Sequence, residues 1–418
     1  MLDKTLYSIR KIIPTKIFDF FNPAYHWTLS LCSAIYFRFP SRHIKVITVT
    51  GTKGKSSTTE ILNAILERAG YKTALSNTIR YKIGDQSNRN LSKMSTPGRF
   101  FLQRLIRQAV DSGCKYLILE MTSQGALLFR HRFIELDTLI FTNLTPEHIE
   151  AHGSYDNYLN SKLSIARNME RSRKPIKTII ANSDDKESRH FLACKADKKV
   201  TFGIKDVEPY SLSTLGIDFT FAGQTIHSNL QGQFNLYNIL GAITCAKDEK
   251  VSDQIIIDAI ENLSVIPGRL EKIQAKNFTV IVDYAHTIDS LQKIYEVFKT
   301  NRIIGVLGGT GGGRDTWKRS EMGKIADKYC AEIILTNEDP YDEDPNKIVE
   351  DVAKGITNHK ARIIMDRRLA IRKALELAQP DDFVIITGTG TDPYIMGANG
   401  SKLPWSDSGV VKEELARI

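Results

Sequence analysis

Residues 51–57 read Gly-Thr-Lys-Gly-Lys-Ser-Ser, a glycine-rich run between two regular patterns. The apolar run 44–50 before it predicts a buried strand, and apolar residues recur at helical spacing in 57–70 after it. Such a turn leaves backbone N–H groups free to bind phosphate at the positive end of a helix. Lys55 can neutralise the outer phosphates, and the Ser56 hydroxyl can reach Mg²⁺. The run therefore favours an ATP-using enzyme over an ordinary glycine–lysine turn.

The composition narrows the class of protein. A chain of 418 residues predicts two or three domains, and a formal charge of +9 suits polyanions such as nucleotides. No basic repeat with interleaved aromatic residues favours nucleic acid, so we predict no nucleic-acid partner. The five cysteines are scattered, without a C-x-x-C pair. This usage predicts reduced thiols in the cytoplasm and argues against a zinc ribbon or a disulfide framework.

The N-terminal residues 1–43 form a segment of their own. They combine basic residues with an apolar stretch at 27–39, which Arg38 interrupts and which is too short to span a bilayer comfortably. No small-residue cleavage site follows, so the segment does not resemble a signal peptide. We predict a short helical element docked on the body. A peripheral membrane-surface anchor is the alternative.

Strand-like and helical patterns alternate along the rest of the chain, which predicts an α/β fold with parallel sheets. Ligands in such sheets bind at the carboxyl ends of the strands. The turn-forming run 265–269 suggests a boundary. The predicted domains are therefore the helical segment 1–43, a central domain at 44–265 and a C-terminal domain at 266–418. The predicted strands are 116–121, 138–142, 178–181, 280–283, 303–307, 332–336 and 383–387.

Polar motifs follow the predicted strands in a fixed order. Glu120 ends one strand, where an acid facing a phosphate loop can hold Mg²⁺, although acids often end strands. The motifs are Glu-Met-Thr-Ser-Gln at 120–124, Thr-Asn-Leu at 142–144, Glu-His at 147–148, Tyr158 with Lys162, Gly-Gln-Phe-Asn-Leu-Tyr-Asn at 232–238, Pro-Gly-Arg-Leu-Glu at 267–271, Asp-Tyr-Ala-His-Thr at 283–287, Gly-Arg-Asp at 313–315 and Asp-Arg-Arg at 366–368.

Taken together, this collinear set resembles the Mur ligases, the ATP-dependent amide ligases of peptidoglycan precursor synthesis. The resemblance covers residues 44–418 and is strongest to the muramyl-tripeptide synthetases. It implies a central parallel-sheet ATPase domain of the phosphate-loop type and a C-terminal Rossmann-like α/β domain. The implied cofactors are ATP and two Mg²⁺ ions, with a carbamylated Lys162.

The resemblance also implies roles for individual residues. The catalytic set is Lys55, Glu120, His148 and Lys162. The metal ligands are Ser56, Glu120, His148 and Lys162. ATP contacts are expected from Gly51, Thr52, Lys53, Gly54, Lys55, Ser56, Ser57, Asn235, Asn238, Arg269 and Asp283. Substrate contacts are expected from Ser95, Thr96, Thr122, Arg130, Asp339, Tyr341 and Asp392.

The implied reaction has two steps. A carboxylate on a muramyl-peptide type acceptor attacks the γ-phosphate of ATP, and the amine of an amino acid then displaces phosphate from the acyl phosphate. A closing C-terminal domain would exclude water. The expected partners are that acceptor and an amino acid, and we expect a monomer.

Four departures from the family pattern qualify these expectations. Residues 1–43 are too few for a nucleotide-sugar domain. Either the acceptor is not a UDP-sugar, or UDP binds elsewhere, or the short helical segment handles a different carrier, such as a lipid. Residues 338–341 read Glu-Asp-Pro-Tyr where diaminopimelate-adding members have Asp-Asn-Pro-Arg. The loss of that Arg, with acids behind it, favours lysine or another diamino acid, although the patch can also be a solvated acidic loop. Residues 388–392 keep an acid, Asp392, with a shorter reach than the family's Glu. Gln124 and Glu147 replace the family's His and Asp.

Two other functions stay open from the sequence. Folylpolyglutamate synthetases also lack the nucleotide-sugar domain and extend a γ-carboxylate. A non-catalytic nucleotide-binding partner of a cell-wall complex is the third reading. The presence of Lys55, Glu120, His148 and Lys162 together argues against that last reading.

Overall fold

Two β-sheets, each covered by helices on both faces, form the body of this computed structural model. The structure describes residues 15–147, 152–313 and 316–417, with side chains from residue 21 onward. Several residues from the sequence analysis lie outside the described residues. They are the basic residues Lys4, Arg10 and Lys11 of the N-terminal segment, the expected metal ligand His148, and Arg314 and Asp315 of the Gly-Arg-Asp motif.

The first sheet has eight strands in the order β4-β3-β2-β5-β1-β6-β7-β8. The six strands β2, β5, β1, β6, β7 and β8 pair in parallel, and β3 and β4 are added by antiparallel pairing. Its strands are β1 (Lys45–Thr50), β2 (Thr73–Ser76), β3 (Arg80–Ile83), β4 (Gln86–Arg89), β5 (Tyr116–Glu120), β6 (Thr138–Phe141), β7 (Thr178–Asn182) and β8 (Lys198–Phe202). Its helices, with the N-terminal one, are α1 (Thr15–Tyr36), α2 (Lys55–Arg68), α3 (Arg99–Asp111), α4 (Ser123–Leu127), α5 (Tyr155–Met169), α6 (Ser188–Leu192), α7 (Gln233–Asp248) and α8 (Asp253–Asn262).

The central strand β1 shows why the sheet is covered on both sides. Ile47 and Val49 pack with α2, α7 and α8 in one core, whereas Val46 packs with α3 and α5 in the other. Five of the six residues of β1 are buried. Alternate residues of a strand point to opposite faces, so a strand that is buried at nearly every position must be covered on both sides. This arrangement leaves the carboxyl ends of β1, β5 and β6 as the open edge where polar residues can gather.

The second sheet has six strands in the order β12-β13-β17-β14-β15-β16, with only β12 antiparallel among them. Its strands are β12 (Glu271–Gln274), β13 (Thr279–Val282), β14 (Ile303–Leu307), β15 (Glu332–Leu335), β16 (Arg362–Ile363) and β17 (Phe383–Ile386). Its helices are α9 (Ile288–Val297), α10 (Lys318–Tyr329), α11 (Pro345–Ala353), α12 (Arg367–Leu377) and α13 (Asp407–Leu415), and a hairpin joins β18 (Tyr394–Met396) to β19 (Lys402–Pro404).

A small antiparallel sheet follows the first sheet in sequence, with β10 (Ile217–Phe221) between β9 (Tyr210–Leu212) and β11 (Gln224–Ser228). Three single turns of 3₁₀ helix lie at Pro40–His43, Ile204–Val207 and Ala398–Gly400. Of the helices that the structure describes, none combines the length and apolar character needed to cross a bilayer. All five cysteines are free thiols.

The α/β class and the strands predicted from the apolar runs are confirmed. The helix predicted over 57–70 begins earlier, at Lys55, and ends at Arg68. The sequence patterns missed β2, β3, β4, β8, β12 and β16, the small antiparallel sheet and the β18–β19 hairpin. Of these strands, β2 is buried but only four residues long, and the others are partly or fully exposed. We propose that the domain boundary lies at 265–266, between α8 and β12.

A buried ion pair ties α12 to α13. Asp407 is fully buried and accepts hydrogen bonds from Arg367 Nε at 2.8 Å and Nη2 at 2.7 Å, and from Trp405 Nε1 at 2.8 Å. Removing one partner of such a pair leaves the other charge buried without compensation. The pair therefore fixes the helices that cover this face of the second sheet.

We expect Asp407→Ala to lower the free energy of unfolding by about 3–5 kcal/mol, because Arg367 would stay buried and unpaired. Chemical denaturation followed by circular dichroism measures this change. Glu413→Ala is the control, since Glu413 is an exposed partner of Arg368 and its loss should matter little. Equal effects of the two substitutions would show that the buried pair does not carry this stability.

Candidate active site

The glycine-rich loop lies between the carboxyl end of β1 and the first turn of α2. Gly54 has a φ of +83°, and a Cβ there would lie 2.1 Å from Asn238 Oδ1. Only glycine fits this close approach without strain. Because α2 begins at Lys55, its first N–H groups, including those of Ser56 and Ser57, have no carbonyl partner within the helix and face the loop. The loop can therefore bind an anion through its backbone.

Oxygen atoms gather beside this loop, at the end of β5. Ser56 Oγ donates to Glu120 Oε2 at 2.7 Å, and the Thr78 amide donates to the same oxygen at 2.9 Å. Glu120 is buried. No cluster of three His, Cys, Asp or Glu side chains suited to a metal occurs among the described residues. Two hard oxygen donors nevertheless fit Mg²⁺, which takes one or two protein ligands and completes its shell with phosphate oxygens and water.

Two lysine side chains lie next to these oxygens, Lys162 buried and Lys55 with 13% of its side chain exposed. Lys55 Nζ donates to the Thr52 carbonyl at 2.8 Å and lies 3.9 Å from Glu120 Oε1. Burial lowers the pKa of Lys55, whereas the Glu120 carboxylate raises it. Lys162 Nζ donates to the Gly51 carbonyl at 2.6 Å. Burial lowers the pKa of Lys162 well below its ordinary value, and the charge of Lys55 lowers it further. Burial and the neighbouring Lys55 charge therefore both favour loss of the Lys162 proton.

The loop is braced by residues that follow β6 and by α5. Asn143 accepts from the amides of Thr52 and Lys53 at 2.8 and 2.9 Å, through its carbonyl and its side-chain oxygen. The hydroxyl groups of Thr52 and Tyr158 lie 2.9 Å apart. Lys53 Nζ pairs with Glu147 Oε1 at 3.0 Å. These contacts hold the backbone in the shape that a phosphate needs before any ligand arrives.

The residues predicted to contact the nucleotide approach the loop from α7 and from the second sheet. Asn238 lies against Gly54, and its amide donates to Asn235 Oδ1 at 3.0 Å. Arg269 lies over the ring of Tyr284. Its charge is close enough to Lys55 to lower the pKa of that lysine. Asp283 is buried and accepts from the amides of Leu270 and Ala285 at 2.7 Å each. Its carboxylate thus shapes the turn that carries Arg269.

The residues predicted to hold the acceptor form one group beside Glu120. Thr96 Oγ1 accepts from the Thr122 amide at 2.9 Å, and the Thr122 hydroxyl caps α4 by accepting from Gly125 N. Ser95 Oγ lies 2.6 Å from the Thr78 hydroxyl. The Arg130 guanidinium donates to the Thr96 carbonyl. The structure therefore brings these residues together with the phosphate loop.

Lys93 bridges the two sheets at the predicted amino-acid subsite. This residue follows β4, and its Nζ lies 2.6 Å from Asp339 Oδ2 and 2.8 Å from Asp392 Oδ2. Burial raises the pKa of Asp392 to about 6, against the opposing effect of Lys93. The Arg89 guanidinium makes a second bridge, because it donates to the backbone carbonyls of Thr391, Asp392 and Trp405 at 2.9–3.1 Å.

Glu338 lies next to Asp339 and is also buried. Its Oε1 accepts from the Thr310 hydroxyl at 2.9 Å, and its Oε2 has no hydrogen-bond partner among the described residues. Burial raises the pKa of Glu338 to about 7, whereas Arg367 lowers it. A buried carboxylate oxygen without a donor is costly unless a ligand supplies one. Tyr341 donates its backbone amide to Met396 at 3.1 Å.

The described residues of the predicted site thus meet at the junction of the two sheets, in a phosphate loop, an oxygen cluster and an acidic subsite. Sequence reasoning missed Thr78, which completes the contacts of Glu120, and Lys93, which neutralises two predicted substrate ligands. Lys93 lies two residues before Ser95, but its partner Asp339 is 246 residues away. A contact over that separation cannot be predicted from a local sequence pattern.

Known protein families match most of the chain. Residues 49–246 match the Mur ligase middle domain, and residues 268–390 match the Mur ligase glutamate ligase domain. The UDP-N-acetylmuramoyl-L-alanyl-D-glutamate–2,6-diaminopimelate ligase of Clostridium botulinum is 36% identical over 88% of this chain and 77% of its own length. The ligase of the same name from Aquifex aeolicus is 35% identical over 91% of this chain and 79% of its own length.

Solved structures give the same result for the fold. A UDP-N-acetylmuramoyl-L-alanyl-D-glutamate–2,6-diaminopimelate ligase superimposes with a TM-score of 0.62 and 26% identity, covering 90% of this chain and 78% of the other. Folylpolyglutamate synthase of Mycobacterium tuberculosis superimposes with a TM-score of 0.69 over 87% of this chain and 91% of the other. That second pair is 16% identical, so the likeness is one of fold alone.

We expect Gly54→Ala to weaken nucleotide binding by about tenfold or more, or about 1.4 kcal/mol, because the new methyl group would collide with Asn238 inside the loop. Calorimetric titration with ADP and Mg²⁺ measures this. Gly70→Ala is a matched control, because Gly70 has a φ of +81° with no atom near the added Cβ. An unchanged affinity for Gly54→Ala would mean that this loop does not hold the nucleotide.

Proposed function

The chain belongs to the Mur ligase family of ATP-dependent ligases, and from this premise we propose that it joins a diamino acid to the terminal carboxylate of a muramyl-peptide acceptor. One observation carries the proposal. Ser56 of the phosphate loop contacts Glu120, and Thr78 joins Glu120 to Ser95 of the acceptor group. Lys93, two residues before Ser95, reaches Asp339 of the acidic subsite. The three reactants of such a ligase can therefore meet in one place.

The first step joins the acceptor carboxylate to phosphate. An acceptor oxygen forms a bond to the γ-phosphorus, the bond to the bridging oxygen breaks, and ADP leaves with the electron pair. Lys55 and the loop amides hold the phosphates in line for this attack, and Arg130 with Thr96 orients the acceptor. Ser56 and Glu120 would hold Mg²⁺, which would neutralise charge on the transferring phosphoryl group.

The second step forms the amide. The free amine attacks the acyl carbon, phosphate leaves with the electron pair, and the amine loses a proton to solvent or phosphate. Lys93 and Arg89 hold the second sheet against the first, which keeps water from the acyl phosphate. This closed arrangement is what the reaction requires, because hydrolysis of the acyl phosphate would waste ATP.

Lys162 is a candidate for carbamylation. Its buried amine has a lowered pKa, so a neutral nitrogen is available to form a bond with carbon dioxide and release a proton. The product is a carboxylate-like group in place of an ammonium that would repel a cation. We propose this group and His148 as ligands of a second Mg²⁺; His148 itself lies outside the described residues.

The amino-acid subsite supports a second amino group on the substrate. Asp339 and Asp392 are already paired with Lys93, whereas Glu338 Oε2 is buried and receives no hydrogen bond from any described residue. An ammonium group of the incoming amino acid would donate one. Lysine and diaminopimelate both carry such a group, and the relatives named above are diaminopimelate ligases.

Several finer points are part of the same proposal. We propose a monomer acting in the cytoplasm on an acceptor whose carrier is UDP or a lipid. We also propose a membrane-surface contact through residues 1–43, which the exposed apolar side chains of α1 support. The two alternatives serve as arms of the test, since a folylpolyglutamate synthetase would respond to folates and a non-catalytic partner would not turn over ATP.

We expect phosphate release from ATP and Mg²⁺ only when a muramyl-dipeptide acceptor and a diamino acid are both present. The assay compares UDP-linked and lipid-linked acceptors and a folate, each with L-lysine, meso-diaminopimelate and L-norleucine. Norleucine keeps the carbon chain of lysine and lacks its distal amine, so it should give at least about tenfold lower kcat/KM. Turnover with folates alone would overturn the cell-wall assignment.

Glu338→Gln tests the subsite within that assay. Removing the negative charge should reduce the preference for lysine over norleucine by about tenfold, with a smaller effect on the norleucine rate itself. If Glu338→Gln lowers both rates equally, Glu338 is a structural residue and does not recognise the amine.

We expect Lys162→Ala to abolish ligation and to regain part of it with added formate or acetate, because a small carboxylate can occupy the space of the carbamate. The fraction of activity restored, measured as phosphate release against carboxylate concentration, is the readout. Chloride at the same ionic strength is the control. An active Lys162→Ala enzyme would contradict both the carbamate and the second metal site.

A further inference from the structure

Helix α1 presents an apolar stripe to the outside of the molecule. Phe21, Tyr25, Cys32, Ile35 and Tyr36 lie on one face of the helix, because they are separated by steps of three, four or seven residues. The exposed fractions are 52% for Tyr25, 56% for Ile35 and 73% for Tyr36. Phe100 of α3 extends the stripe, since its ring lies 6.4 Å from that of Tyr36.

The opposite face of α1 is fixed to the body. Ser30 Oγ donates to the carbonyl of Phe129 at 2.9 Å, Ala34 is fully buried, and the ring of Trp27 lies edge-on to Phe133 at 5.3 Å. Beyond the helix, Arg107 of α3 donates to the carbonyl of Phe37 at 3.1 Å. The stripe is therefore held in one orientation and is not the face through which the helix packs.

Positive charge flanks the stripe. Residues 20–37 contain no Lys, Arg, Asp or Glu, and residues 1–43 contain six Lys or Arg against two Asp. Arg38 follows the helix, and Arg104 lies one turn beyond Phe100 on α3. Both are exposed, and neither forms an ion pair with a described residue. The stripe is thus an uncharged apolar band with two exposed cations near its Tyr36 end.

We propose that this stripe docks on the surface of an anionic lipid bilayer, with α1 lying in the plane of the interface. Apolar and aromatic side chains enter the boundary between headgroups and acyl chains, and Lys or Arg at the rim contacts lipid phosphates. Tyr and Trp are enriched at that depth in membrane proteins. A second copy of the chain fits less well, because residues 20–37 offer no acidic side chain that could pair with Arg38 and Arg104.

The face of α1 that packs on the body lies beside the acceptor group. Phe129, which binds Ser30 of α1, immediately precedes Arg130, and the Arg99 guanidinium contacts both His26 of α1 and the carbonyl of Leu128. Docking through α1 therefore places the Thr96–Arg130 end of the cleft near the headgroups. The docking itself does not depend on the ligase reaction.

Co-sedimentation of the full chain with vesicles tests the proposal. We expect binding to vesicles of phosphatidylglycerol and phosphatidylcholine, and at least about tenfold weaker binding to phosphatidylcholine alone. The variant Tyr25→Ser/Ile35→Ser/Tyr36→Ser should bind at least about tenfold more weakly to the anionic vesicles. The matched control Ile176→Ser/Leu215→Ser removes side chains that are 63% and 69% exposed elsewhere, and it should bind as the unmodified protein does.

A second variant guards against misfolding of the first. Arg38→Glu/Arg104→Glu keeps the apolar stripe and should lose binding to anionic vesicles while retaining the same melting temperature. Absence of binding by the unmodified chain would overturn the proposal, as would equal losses in the stripe variant and its control. A dimer seen by light scattering, which the stripe variant dissolves and which binds no vesicles, would assign the stripe to a second copy instead.

Discussion

The close approach of two lysine side chains, Lys162 buried and Lys55 half-buried, is the constraint on which the rest of the site depends. Lys55 and Lys162 both donate to carbonyls of the glycine-rich loop, at Thr52 and Gly51, and the charge of Lys55 lowers the pKa of Lys162. Removing an ammonium from water is costly unless an anion compensates it. Glu120 compensates part of that cost, so an anionic nucleotide that fills the loop should relieve the remainder. The lysine side chains therefore leave positive charge at the loop, which a bound nucleotide can compensate.

The second sheet completes what the first sheet begins. Arg269 reaches the loop from a turn that Asp283 holds in place, while Lys93 reaches in the other direction to Asp339 and Asp392. Each half of the molecule thus places a cation in the other half's site. Relative movement of the two sheets would separate these groups and open the cleft, which links domain closure to the assembly of the site.

Local patterns in the sequence predicted most of the fold and the phosphate loop. The strand–turn–helix at 44–70 follows from apolar spacing and glycine, which act over a few residues. The sequence could not predict that Lys93 pairs with Asp339, because that contact depends on how two sheets pack. The direction in which α1 presents its apolar residues was also beyond reach. Residues 20–37 carry no charge, so the sequence alone does not show which face of the helix is buried. The acid-rich run 338–344 predicts a site for a cationic amine, whereas Asp339 is already paired with Lys93 and Glu343 with Arg319.

The bridge made by Arg89 has a consequence for how this enzyme family can diversify. Arg89 binds only main-chain oxygens of the opposing loop and of Trp405, not their side chains. Replacement of those side chains therefore leaves the bridge intact, because every residue type offers the same carbonyl. Mutation can explore new substrate preferences at positions such as Thr391 without loosening the grip between the two halves. For the Arg89 bridge, selectivity and cohesion are therefore chemically independent traits, whereas the Lys93 bridge depends on the side chains of Asp339 and Asp392.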